Sequence, residues 1–181
     1  MRCFVALEFD ENAVDFLSKA AGEIGAVDAS AGVIPRQNMH LTLCFLGEVP
    51  QARALEAARK VSGIEFGPFE VVLGGIGFFP SQKFIRIVWM AAESGGKIEQ
   101  LHSVARGLVA GGTQAERENR PFNAHITLAR IKSPQNAPAL LRWAAEKNAQ
   151  NVSLKCRAVR VVLKQTRFLP GGGVEYVDAA P

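Results

Sequence analysis

Apolar positions along this chain switch repeatedly between two spacings. Residues 3–8, Cys-Phe-Val-Ala-Leu-Glu, form a short and almost continuous apolar run of the kind a buried strand makes. Asp10 follows where it can cap a helix, and Val14, Leu17, Ala21 and Ile24 then recur at helical spacing. Beyond the break at Pro35, residues 39–46 are apolar and strand-like, closed by Gly47. Residues 52–61, just after Pro50, are rich in good helix formers. Two strands are predicted at 69–78 and 84–90 around a Pro80-Ser-Gln turn, then a helix at 97–109 that stops at Gly111-Gly112. A strand at 124–131, a helix at 137–147, an extended run at 152–163 and a last strand at 174–177 complete the pattern.

The order lacks the regular strand-helix-strand beat of a doubly wound sheet, so the expected class is α+β with largely antiparallel sheets and helices on the outside. One comparison within the chain sharpens this. His40-Leu-Thr-Leu43 and His125-Ile-Thr-Leu128 are near copies, each in a predicted strand with a predicted helix later in the chain. A duplicated lobe is implied; if the two lobes are pseudo-symmetric they flank a central groove, within a single bilobal domain spanning 1–181.

Composition narrows the classes of function. With 181 residues, 48% hydrophobic and 21% charged, the chain can bury a substantial core and is neither disordered nor fibrous. Its longest apolar run, 71–79, contains three glycines and is too short to span a bilayer, and Glu8 and Asp10 interrupt the signal-like start. Cys3, Cys44 and Cys156 have no CxxC spacing and frame neither a disulfide scaffold nor a zinc site, which suits a reducing cytoplasm. The net charge of +4 leans towards an anionic partner.

In a strand, residues i and i+2 share a face, so His40 points with Thr42 and His125 with Thr127, while Leu41, Leu43, Ile126 and Leu128 anchor the strands from the other side. Two such surfaces meeting across a groove suit phosphoryl transfer at a phosphodiester. That reaction needs a base for the nucleophile and an acid for the leaving alkoxide on opposite sides of phosphorus, and two imidazoles supply both. The threonine hydroxyls can donate to non-bridging oxygens. No metal or other cofactor is required by this scheme, and neither histidine belongs to a ligand cluster such as HExxH. Strand parity also sends Cys44 to the face of His40 and Thr42, and Arg130 to the face opposite His125 unless the strand is bulged. His102, beside the apolar stripe of the 97–109 helix, reads as a surface residue. Gly171 to Gly173 reads as a hairpin turn rather than a phosphate loop.

At these residues the sequence resembles the two-histidine phosphoesterase superfamily, and within it the RNA 2′,3′-cyclic phosphodiesterases formerly called 2′-5′ RNA ligases. The likeness runs through Arg2-Cys-Phe-Val-Ala-Leu7, His40-Leu-Thr-Leu-Cys-Phe-Leu-Gly-Glu-Val49, Gly77-Phe-Phe-Pro80 and Phe122-Asn-Ala-His-Ile-Thr-Leu-Ala-Arg130. It implies a metal-independent hydrolase that opens RNA 2′,3′-cyclic phosphate ends to 2′-phosphomonoesters, with 2′-5′ ligation as the reverse chemistry. By the resemblance His40 is the general acid, His125 the general base, Thr42 and Thr127 hold the phosphate, and Arg130 is the phosphate-side arginine. The implied partner is RNA or an oligonucleotide with a cyclic end, met by a cytoplasmic monomer without a membrane. Ala124 and Cys44 depart from the family's usual proline and lysine. The alternatives are a phosphodiesterase for a small cyclic phosphate, such as a nucleoside or ADP-ribose derivative, and a non-catalytic RNA-binding module.

Overall fold

The computed structural model describes residues 1–119 and 121–179. Strand β1 (Arg2–Phe9) buries every residue from Cys3 to Leu7, as its unbroken apolar run requires of a strand with partners on both edges. Helix α1 (Glu11–Val27) starts where the Asp10 side chain accepts from the Ala13 N–H at 3.0 Å. Its apolar stripe of Ala13, Leu17, Ala21 and Ile24 is fully buried. There follow β2 (Gly32–Val33), a 3-10 turn (Arg36–Asn38), β3 (Leu41–Glu48), α2 (Gln51–Ser62), β4 (Phe69–Ser81), β5 (Phe84–Glu93) and α3 (Lys97–Val109). The chain ends with α4 (Gln114–Arg117), β6 (His125–Arg130), α5 (Ala137–Ala149), β7 (Ser153–Phe168) and β8 (Val174–Asp178). Alternation missed the two-residue β2 and the single-turn α4, which carry too few residues to show a period.

The α+β expectation holds, and every strand pairing among the described residues is antiparallel. The eight strands form one sheet, ordered β1-β3-β6-β5-β4-β7-β8, with β2 added beside β6. Strand β7 joins its halves. Its first part, Ser153 to Ala158, pairs with β4, and the stretch from Ala158 to Gln165 pairs with β1. Because β1 also pairs with β3, the ladder returns on itself, and among the described residues a single pair, Leu41 with Ile126, joins β3 to β6. Helices α2, α3 and α4 pack on the half containing β3, and α1 and α5 on the half containing β6 and β4. Leu41, Leu43, Ile126 and Leu128 are buried, and each such side chain contributes roughly 1.5–3 kcal/mol to the fold. No helix among the described residues is long and apolar enough to cross a membrane.

Candidate active site

The lone Leu41–Ile126 pair lies between the two motif histidines. In an antiparallel register, carrying that pairing one residue to either side sets His40 across from Thr127, and Thr42 across from His125. Leu41 and Ile126 are wholly buried, whereas the four polar side chains are half-buried on the other face. The two imidazoles therefore lie on one face, one on each side of the Leu41–Ile126 pair. The duplicated motif thus converges on one patch of sheet.

Past this patch both motif strands contain the same irregularity. In the β1–β3 ladder Val5 faces Cys44 and Ala6 faces Thr42, leaving Leu43 without a partner. In the β5–β6 ladder Val88 faces Ala129 and Trp89 faces Thr127, leaving Leu128 without one. Each bulge puts two successive residues on the core side, Leu43 with Cys44 and Leu128 with Ala129, all of them buried. Parity is reversed beyond it. Cys44 accordingly points into the core rather than beside His40 as simple alternation predicts, and burial pushes its thiol up to about 12. Phe45 takes the position on the face of His40 and Thr42 and is 47% exposed. The corresponding shift returns Arg130 to the face of His125 and Thr127, where its side chain is exposed. Phe45 and Arg130, each five residues beyond its histidine, occupy equivalent places in the two halves.

Each imidazole is oriented by the same local device. His40 Nδ1 lies 2.7 Å from the Asn38 carbonyl oxygen, and His125 Nδ1 lies 2.6 Å from that of Asn123. A carbonyl only accepts, so both rings carry their proton on Nδ1, and Nε2 is left to exchange a proton. Thr42 Oγ1 is 3.3 Å from His40 Nε2. Aromatic walls hold the rings. His40 stacks on Phe4, centroid to centroid 4.9 Å, and meets Tyr176 edge-on at 5.2 Å. His125 meets Phe79 edge-on at 4.9 Å and Trp89 at 5.9 Å. Burial in these cages disfavours the charged ring. It holds His40 down to about 4, assisted by the charges of Lys164 and Arg130, and it also lowers His125.

The wall beside His40 is tied by charge. Lys164 is buried with its ammonium 2.7 Å from Glu8 and 2.8 Å from Asp178, and Arg160 reaches the same two carboxylates at 2.7 and 2.9 Å. Burial works to raise both carboxyls, but hydrogen bonds from the two cations leave them below the ordinary range. The quartet binds β8 to β1 and β7, and β8 carries Tyr176. The Asn38 side chain adds a rung by donating to the Val174 carbonyl at 3.0 Å.

Sequence reasoning named His40, Thr42, His125, Thr127 and Arg130, and the structure gathers all five on one face. It did not name Phe4, Phe79, Trp89, Tyr176 or the two asparagines. A signal was available for the last: the repeat extends two residues further back, to Asn38-x-His40 and Asn123-x-His125.

Residues 17–167 match the family model described as the 2′-5′ RNA ligase superfamily. The RNA 2′,3′-cyclic phosphodiesterase of Methanothermobacter thermautotrophicus is 31% identical over 182 residues, covering 98% of this chain and 96% of that protein. Its namesake in Archaeoglobus fulgidus is 30% identical over 181 residues, covering 98% and 97%. Among solved structures, TT0787 of Thermus thermophilus superposes with a TM-score of 0.75 at 27% identity, covering 98% of this chain and 94% of that one. LigT of E. coli complexed with 3′-AMP has a TM-score of 0.67 at 22% identity, over 98% and 94%, and so shares the fold.

Proposed function

The chain belongs to the 2′-5′ RNA ligase superfamily, and on that premise we propose that it hydrolyses RNA 2′,3′-cyclic phosphate ends to 2′-phosphomonoesters by paired-histidine acid/base catalysis, without a metal. The observation that carries this reading is the pair of imidazoles on one face, each with Nδ1 held by a carbonyl and Nε2 left to the reaction, that of His40 beside the Thr42 hydroxyl. The name shared by the two archaeal relatives supports the substrate.

His125 takes a proton from water as the water oxygen attacks phosphorus. The P–O3′ bond breaks, and His40 gives its proton to the departing 3′ oxygen. Thr42, Thr127 and Arg130 bind the phosphate oxygens. The cations near His40 make its charged form the more acidic, which suits a donor to an alkoxide. When a ribose 5′-hydroxyl replaces water, the same proton transfers form a 2′-5′ linkage. We place this chemistry in a cytoplasmic monomer.

The test is incubation with a 2′,3′-cyclic-ended oligonucleotide in EDTA, resolving 2′-phosphate from 3′-phosphate products. The 2′-phosphate is expected. A 3′-phosphate product, or turnover of a cyclic mononucleotide well above that of the oligonucleotide, overturns the reading in favour of another cleavage or a small cyclic substrate. Salt-sensitive binding with no product marks a non-catalytic RNA-binding module.

A pH dependence follows from the buried rings. Both are neutral in the free groove at pH 7, so the base is ready, while the acid must gain a proton that burial and two cations oppose. The kcat/KM profile, which reports the free enzyme, is expected to peak below pH 6.5. Bound phosphate adds a negative charge that raises both values, so the kcat optimum lies at higher pH. Coincident optima in steady-state profiles would contradict this electrostatic account.

A further inference from the structure

We infer that His102, outside the groove, is a positioning residue that fixes the two motif strands relative to each other, a role that rests on the catalytic reading of His40 and His125. The strands need such a fastening because their shared ladder has a single pair among the described residues, Leu41 with Ile126. Beyond it each bulge leaves a leucine carbonyl outside the ladder. The Leu128 carbonyl accepts from the Ile34 backbone N–H at 2.9 Å. At the equivalent position of β3 no strand among the described residues runs alongside, and the Leu43 carbonyl accepts instead from His102 Nδ1 at 2.7 Å. A side chain on α3 thus does for one half what backbone does for the other.

The same ring reaches the second half. His102 stacks on Phe122, with centroids 4.1 Å apart and planes 12° from parallel. Phe122 adjoins Asn123, whose carbonyl orients His125. Leu43 adjoins Thr42. One imidazole therefore touches the neighbour of a phosphate-side threonine in one motif and the neighbour of the histidine's anchor in the other. Its helix is a firm base, because Ile98, Leu101, Ala105 and Val109 are buried on either side of it in sequence. The surface role that helical spacing assigns to His102 is therefore corrected. The spacing describes only α3, whereas both contacts come from segments distant in sequence.

Displacing reacting groups by as little as 1 Å can cost about 100-fold in rate. His102→Ala is expected to lower kcat on a 2′,3′-cyclic-ended oligonucleotide by roughly 10- to 100-fold with KM changed far less. His102→Asn, which keeps a donor near the Nδ1 position but lacks the ring that stacks on Phe122, should recover part of that loss. Gln100→Gly weakens the same helix at an exposed position and should leave kcat within about twofold. A Gln100→Gly enzyme as slow as His102→Ala, or no rescue by asparagine, overturns the inference in favour of simple helix stability. A second readout needs no turnover: NMR titration of the His40 and His125 rings. Loosening the Asn123 carbonyl from His125 Nδ1 removes a contact that favours the charged ring, so the His125 value falls further in His102→Ala, and an unchanged titration would refute the positioning role. If the wild-type protein leaves the RNA end intact, the proposed substrate fails while the titration still decides the role of His102.

Discussion

His125→Ala is expected to slow hydrolysis of a 2′,3′-cyclic-ended oligonucleotide by about 10²–10⁴-fold, the usual worth of a positioned general base. The side chain is half-buried on the groove face, its hydrogen bond is to a carbonyl two residues away, and its removal leaves Ile126 and Leu128 in the core. The folded state should therefore survive, which circular dichroism and thermal unfolding can verify. His40→Ala should lose a comparable factor, because the acid and base act in one proton relay. For the same reason the double replacement should cost little more than the worse single one, since groups that work as a unit do not contribute additively. Single-turnover measurements on the four proteins make the comparison. Turnover of His125→Ala within about tenfold of the wild type would remove the base from this residue.

Gly77→Ala is expected to give the second large effect, through a residue with no chemistry of its own. A Cβ at Gly77 would lie 2.1 Å from Trp89 Cζ2, 2.4 Å from Cη2 and 2.5 Å from Cε2, so the indole and the methyl cannot both keep their places. Trp89 is not free to yield. Phe79 stacks on it at 5.0 Å, and both rings form the wall around His125. Overpacking of this kind costs about 1–3 kcal/mol, which for a domain of this size is roughly 2–12 °C in thermal midpoint. Displacement of the wall should also lower kcat by about tenfold or more. The three close atoms belong to the six-membered ring of the indole. Trp89→Phe lacks the outer atoms Cζ2 and Cη2, the two nearest, so in the Gly77→Ala background it should restore much of the midpoint. Differential scanning calorimetry of the single and double variants decides this, and a Gly77→Ala protein that melts with the wild type would show that the wall is less rigid than its packing suggests.

The contrast between Gly77 and the histidines shows where the sequence was readable. Paired His-x-Thr-Leu motifs announce themselves because a period-two strand puts histidine and threonine on one side whatever surrounds them. Gly77 carries no such mark: its role is defined by an indole twelve residues away in sequence, brought opposite by the β4–β5 ladder. Phe4 and Tyr176 are likewise ordinary apolar and aromatic strand residues until β1, β7 and β8 align them beside His40.

Cys44 and Arg130 lie at the boundary between the two kinds of information. Alternation correctly fixes the faces of residues 40 to 43 and 125 to 128, then fails at the next step in both strands. Nothing in Leu43-Cys44 or Leu128-Ala129 marks a bulge. Each arises where a neighbouring strand skips one residue, and the displaced carbonyl is taken by His102 in one half and Ile34 in the other. Local periodicity, composition and the internal repeat were enough to determine the α+β class, most of the elements and the four residues of the doubled motif, because these depend on spacing along the chain. Which rings cage the imidazoles, which side Arg130 and Phe45 face, and what fastens the two strands were decided by tertiary structure alone. They depend on register between segments far apart in sequence, and one skipped residue there reverses every side chain that follows.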